Sequence, residues 1–201
     1  MKRWNQEDDQ TPSGTRRVTS VKFVVSGGFG AGKTTFVGAI SEVPPLRTEG
    51  AMTSVGMPVD ARKGSEDKTT TTVAMDFGRL TVDESLVMYL FGTPGQERFG
   101  FMWDNITTGA LGAVVLVDTN RLDQSFPAVD HFEGKGIPFV VAVNRFADRP
   151  AHPLEDVRAA LGVSDGVPVV ACDARQTDSA RDVLLALLEY LAATRSAVVG
   201  V

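Results

Sequence analysis

The sequence predicts an α/β fold: a six-stranded, mostly parallel sheet with one antiparallel hairpin strand and helices on both faces. Three observations carry this. Near-continuous apolar segments such as Val21-Lys22-Phe23-Val24-Val25 and Val114-Val115-Leu116-Val117 alternate with helix-like segments. Strands that are covered on both faces have that composition, whereas half-exposed strands alternate polar with apolar. The glycine-rich stretch Gly27-Gly28-Phe29-Gly30-Ala31-Gly32-Lys33-Thr34 lies between the first strand and the first helix. Only one pair of strands is close enough in sequence to form a hairpin.

Residues 1–18 are polar, contain Pro12 and Gly14 and carry both signs of charge, so they read as a flexible tail. The first strand falls near 20–26 and the first helix near 33–42. From Val43 to Thr69 the chain is punctuated by Pro44, Pro45, Gly50, Gly56, Pro58 and Gly64, with no period of 2 or 3.6. A structureless connection of that length, directly after the glycine loop and its helix, reads as a functional switch loop. The run Thr70-Thr71-Thr72-Val73 opens the second strand, Val82-Asp83-Glu84-Ser85 is the hairpin turn and Leu86–Phe91 is the third strand. After the loop 92–99 come a helix at 99–108, a strand at 111–118, a helix near 122–134 and a strand at 137–143. A helix at 156–161 and a strand at 167–172 follow. The last helix opens with Asp178 as N-cap and places Leu184, Leu187, Leu188 and Leu191 on one stripe. The folded domain is expected to span 19–195, with a short tail at 196–201.

Composition narrows the function. The 201 residues are 43% hydrophobic and 22% charged, with a net charge of −5. An acidic balance argues against nucleic-acid binding, which needs a basic surface. One cysteine, Cys172, forms no internal disulfide and reads as a small core or pocket-wall residue. His131 and His152 have no metal-ligand spacing and read as surface or helix-end residues. There is no apolar run long enough to span a membrane, no signal core and no lipidation motif, so the expected location is the cytoplasm, with any membrane association made through partners.

The glycine loop is where chemistry begins. Cradling a di- or triphosphate requires backbone N–H groups turned inward, and glycines let the chain wrap tightly enough. The following helix adds unpaired N–H groups and its positive dipole end. In the pattern G-x-x-x-x-G-K-[ST], Lys33 bridges the β- and γ-phosphates and the Thr34 hydroxyl ligates Mg²⁺, with Thr35 next in line. Ligands of such sheets sit at the carboxyl ends of the strands, so the remaining functional groups are expected just after them.

The loop Gly92-Thr93-Pro94-Gly95-Gln96-Glu97-Arg98-Phe99 makes the resemblance specific. With the glycine loop and the order of elements, it resembles the small Ras-like GTPases, P-loop NTPases built on the Ras-like G domain. The similarity is strongest to the bacterial branch of gliding-motility MglA proteins and the conservon-encoded ATP/GTP-binding proteins of actinomycetes, and covers about residues 20–193. The resemblance implies GTP/GDP as ligand with Mg²⁺. It implies that Gly95 donates its N–H to the γ-phosphate and that Gln96 orients the attacking water. Gly92 stands where the larger family has an aspartate that supports Mg²⁺, a departure shared by the bacterial branch. Asp76 is a candidate substitute, or simply an outward-facing strand residue.

The resemblance also implies a threonine that reaches Mg²⁺ and the γ-phosphate. Thr72 fits a T-x-x-x-D-F pattern, with Thr70 and Thr71 as competitors and strand filler as the alternative. Guanine recognition is implied at Asn144-Arg145-Phe146-Ala147-Asp148, where Asp148 falls one position late, and at Cys172-Asp173-Ala174-Arg175, with Ala174 donating its N–H to the base carbonyl. Arg47, Arg62 and Arg98 are candidate arginines for the transferring phosphoryl group, or solvated surface residues. Three readings remain open: a slow, partner-stimulated GTPase switch, a P-loop ATPase or kinase, and a nucleotide-binding module without turnover. The implied partners are a roadblock/LC7-type regulator and a sensor-kinase-like membrane protein, with no nucleic acid and no direct membrane insertion.

Overall fold

The first strand, β1 (Thr19–Gly27), passes from solvent into the centre of the molecule, and its last five residues are buried. In the computed structural model, which describes residues 18–44, 46–52, 71–95, 97–147 and 149–199, β1 is followed by α1 (Lys33–Ile40), β2 (Leu46–Met52), β3 (Thr71–Asp83) and β4 (Leu86–Gly92). A 3₁₀ segment, Glu97–Met102, leads into α2 (Trp103–Thr107) and β5 (Gly112–Val117). A second 3₁₀ segment, Thr119–Ser125, precedes α3 (Phe126–Lys135) and β6 (Phe139–Asn144). The chain ends with α4 (Leu154–Leu161), β7 (Val169–Cys172) and α5 (Thr177–Val199).

The strands form one sheet in the order β2-β3-β4-β1-β5-β6-β7. Pairing is parallel from β4 through β7 and antiparallel for β2–β3 and β3–β4. The α/β class, the parallel sheet and the hairpin are as the sequence predicts. The chain leaves β1 for one flank and returns for the other, so the carboxyl end of β1 is the switch point at which such sheets bind ligands.

Successive β1 residues serve opposite faces. Phe23 and Val25 pack with Phe36 and Val37 of α1 and Leu184, Leu187 and Leu191 of α5. Val24 packs with Trp103 of α2, Phe132 of α3 and Val157 of α4. Every residue of β5 and β6 is buried, because helices cover both faces, and that is why these strands are apolar in sequence up to Asn144 at the end of β6. Burying side chains such as Phe23 and Phe36 contributes about 1.5–3 kcal/mol each.

Several expectations are corrected. The stretch after α1 is not wholly without structure: β2 pairs with β3 from Leu46↔Phe77 to Met52↔Thr71, adding a seventh strand. Its sequence lacks alternation, and what recruits it is the open backbone edge of β3. The rest of that stretch, 53–70, lies outside the described residues, as does the tail 1–17. The single helix at 99–108 is a 3₁₀ segment followed by one short α-helix, and the helix near 122–134 is divided the same way. Asp178 is not an N-cap: α5 begins at Thr177 and Asp178 sits in its first turn, where a carboxylate favours the dipole. Thr177 ties α5 to α1 by donating to the Ala39 carbonyl at 2.8 Å. The helix continues past residue 195, the expected end of the domain. His131 is neither fully exposed nor at a helix end. It lies half-buried and edge-on to Trp103 and Phe132, and burial pushes its imidazole below the usual range. His152 is exposed. Cys172 is buried as expected, and burial pushes its thiol up to about 11. No described helix is long and apolar enough to cross a membrane.

Candidate nucleotide-binding site

The glycine loop caps the carboxyl end of β1. Gly27 and Gly32 have φ of 136° and 107°, conformations that side chains rarely adopt. Space forbids a side chain as well: a Cβ on Gly27 would stand 2.2 Å from the Leu116 carbonyl oxygen, and one on Gly32 would stand 2.5 Å from Asn144 Nδ2. The loop is therefore pressed against β5 and the end of β6. Lys33, the first residue of α1, is 8% exposed, and its Nζ donates to the carbonyls of Gly27 at 2.9 Å and Gly28 at 2.7 Å. Burial lowers its ammonium pKa to about 8, with Asp76 pulling the other way.

Beside Lys33, the Thr34 hydroxyl donates to Asp76 Oδ2 at 2.6 Å. Asp76 is not an outward-facing residue: it is 8% exposed. A Cβ on Gly92 would stand 3.0 Å from Asp76 Cβ and 3.2 Å from its Oδ2. The carboxylate from β3 thus fills the space next to Gly92, on the neighbouring strand. A hydroxyl and a carboxylate in contact are the hard oxygen donors that Mg²⁺ takes, together with phosphate oxygens and water. Among the described residues no cluster of three potential acidic, histidine or cysteine ligands exists.

Gly95 closes the opposite side: a Cβ there would stand 2.5 Å from Lys33 Nζ and 3.1 Å from the Gly28 carbonyl oxygen. Gln96, the residue after it, lies outside the described residues, as do Thr70 and Arg62. Thr72 is on β3, paired with Ala51, and Arg47 is on β2, paired with Asp76. Arg98 belongs to the 3₁₀ segment after Gly95.

Asn144 ends β6 and is 7% exposed. Its Nδ2 donates to the Ala31 carbonyl at 2.9 Å, and its Oδ1 accepts the Ala174 N–H at 3.0 Å. One side chain therefore holds the phosphate loop and the 172–175 turn together. The Ala174 N–H, expected to face the base carbonyl, is engaged by Asn144 here. Arg175 forms an ion pair with Asp173 at 2.8 Å. Gly30, Gly32, Thr35, Asn144, Arg145, Phe146, Ala147, Ala174 and Arg175 line a cavity of about 320 Å³ at this junction. Arg145 and Ala147 are exposed at its rim, and Asp148 lies outside the described residues.

Sequence reasoning missed one group. Asp118, immediately after β5, is 2% exposed and is shared by two arginines, Arg121 and Arg149. Burial would push its carboxyl up, but the two guanidiniums and the Asn120 N–H hold it below the usual range. Its position at the carboxyl end of an apolar strand was the available signal.

Comparison with known proteins agrees with this architecture. The sequence profile of a family described as conserved hypothetical ATP binding protein matches residues 25–194. The chain is 33% identical over 76 residues to an uncharacterized protein of Methanocaldococcus jannaschii, covering 37% of this chain and 49% of that protein. It is 32% identical over 85 residues to translation initiation factor IF-2 of a Ruegeria species, covering 41% of this chain and 10% of the factor. The chain therefore spans about half the length of the first of these relatives and a tenth of the second. Among solved structures, the G domain of the T. maritima FeoB iron transporter superposes with a TM-score of 0.60 over 86% of this chain and 99% of that domain, at 16% identity. That identity speaks to fold alone. The profile match takes in the glycine loop, Asp76, Asn144 and Ala174, and the chain belongs to this family of conserved hypothetical ATP-binding proteins, as a nucleotide-binding P-loop protein with the fold of a G domain.

Proposed function

We propose that the chain is a small GTPase switch of the bacterial Ras-like branch, related to the MglA and conservon proteins, that slowly converts GTP and water to GDP and phosphate. The observation that carries this reading is the convergence of Lys33, Thr34 with Asp76, and Gly95 in one crevice at the end of β1. A phosphate-binding amine, a metal-binding hydroxyl and a glycine amide from a separate loop make a site in which terminal phosphate can report to a movable segment. Thr34 and Asp76 are the residues that would hold Mg²⁺, which spreads the charge developing on the phosphoryl oxygens. Lys33 binds the phosphate chain, and Gln96 holds the attacking water in line. Asn144 keeps the base cavity at a fixed distance from the phosphate loop, with Arg145 on one wall and Ala174 and Arg175 on the other; Asp148 is the carboxylate proposed to meet the base. A roadblock/LC7-type protein is the proposed regulator and a sensor-kinase-like membrane protein the proposed upstream partner, acting on a cytoplasmic switch.

A second reading replaces guanine with adenine. It is favoured by Ala147, which stands where a guanine-gripping carboxylate is expected, and by the engagement of the Ala174 N–H with Asn144. Titrating GDP, GTP, ADP and ATP with and without Mg²⁺, then following phosphate release from wild type and Gln96→Leu, decides the matter. Tight GTP binding and release that is lost in Gln96→Leu is expected. Equal or tighter ATP binding overturns the guanine assignment, and no release even with a roadblock partner leaves a non-hydrolysing module.

A further inference from the structure

Resting on the reading of this crevice as a phosphate site, we propose that Arg121 is a positioning residue for the phosphate loop and contributes a positive charge that the bound diphosphate feels. The 3₁₀ segment after β5 is interrupted at Arg121, whose φ of −140° and ψ of 50° leave the helical range. The kink lays its side chain along the loop: a Cβ on Gly30 would stand 2.9 Å from Arg121 Nη2 and 3.6 Å from Nη1. The guanidinium is fixed from behind. Its Nε and Nη2 both donate to Asp118 Oδ2, at 3.1 and 3.0 Å. Arg149 occupies the other oxygen of that carboxylate.

Two guanidiniums on one carboxylate leave an excess positive charge against the glycine loop. The planar fork is ordered in advance, so little side-chain freedom is lost when an anion arrives. Gln124 adds to the same wall, since a Cβ on Gly28 would stand 2.6 Å from Gln124 Cβ. The segment 119–125 therefore backs the loop at Gly28 and Gly30, and Arg121 is the charged side chain it lays there.

Three variants separate charge from bulk: Arg121→Ala, Arg121→Gln and Arg121→Lys. Equilibrium binding and dissociation rates of fluorescent GDP and ADP are measured at several salt concentrations, with thermal unfolding as a check on folding. For whichever base the wild type prefers, Arg121→Ala is expected to weaken diphosphate binding about tenfold, roughly the size of one charge-assisted contact. Arg121→Gln should behave like Arg121→Ala, Arg121→Lys should recover most of the loss, and the salt dependence should become shallower in the two uncharged variants. Recovery by Arg121→Gln equal to that by Arg121→Lys, or salt dependence equal to wild type in all three, overturns the proposal in favour of simple packing. Preference for ADP defeats the guanine assignment while leaving this test intact. Should Arg121→Ala unfold, the Gln and Lys variants alone decide it.

Discussion

The sheet on the two sides of β1 is built to different standards. Toward β5 and β6, every strand residue is buried between helices. Toward β3, only Asp76 and Gly78 are buried between Met75 and Asp83, and the β3–β4 register shifts between Thr81 and Asp83. The glycine loop is pressed against the first side through Leu116 and Asn144, whereas the carboxylate that meets Thr34 is delivered by the second. The difference teaches a division of labour. The side against which the glycine loop is pressed is closely packed, whereas the carboxylate that meets Thr34 is carried on a strand covered only in part.

The largest effect should come from the packed side. Leu187 is fully buried behind β5, and Leu187→Ala is expected to cost about 2–5 kcal/mol, measured by urea unfolding. A cost near that of an exposed position would erase the contrast.

Next is Lys33, which joins the two sides. Its ammonium titrates at about 8 in the folded chain against 10.5 in the reference state. As pH rises from about 8 to 10.5 the native state sheds this proton while the unfolded chain keeps it, so stability should rise with pH by up to about 3 kcal/mol. The increment should be missing from Lys33→Met in matched pH titrations. Diphosphate affinity should move the opposite way, falling above about pH 8 as the positive charge is lost.

On the open side, Gly92→Asp would set a second carboxylate against Asp76, with Cβ atoms about 3.0 Å apart before relaxation. Crowding and like charge should cost about 1–2 kcal/mol in thermal unfolding. Asp76→Gly in the same chain should restore stability and leave Mg²⁺-dependent nucleotide binding intact, the carboxylate having moved from one strand to the other. Failure of the double variant to bind would mean that the two positions are not interchangeable. The smallest effect belongs to Val82→Ser, on the exposed end of β3, which should stay within about 0.5 kcal/mol of wild type.

Legibility in the sequence follows the same division. The uniformly apolar segments at 112–117 and 139–143 were readable because double-sided burial leaves no other composition, and the glycine loop because its backbone tolerates nothing larger. Strand β2 was not readable. Its pairing partner is a backbone edge rather than a packed face, and an edge imposes no side-chain period. His131 escaped for a related reason: what buries it is Trp103, from an element far away in sequence. Asp118 and Arg121 sit three residues apart, and nothing in that spacing reveals that the pair backs a glycine loop nearly a hundred residues earlier. Asn144 was singled out, but as a base contact. Its role as a tether between Ala31 and Ala174 needed coordinates.

The two carbonyl bonds of Lys33 have a consequence for the kinetics of ligand entry. An amine in water must shed its hydration shell before it can grip an anion, and that step slows capture and blunts discrimination. Here the shell has already been replaced by the oxygens of Gly27 and Gly28. An incoming phosphate therefore exchanges with neutral carbonyls, and the gain grows with its negative charge. The loop should on that account distinguish highly charged chains from singly charged anions before any contact with the base is made.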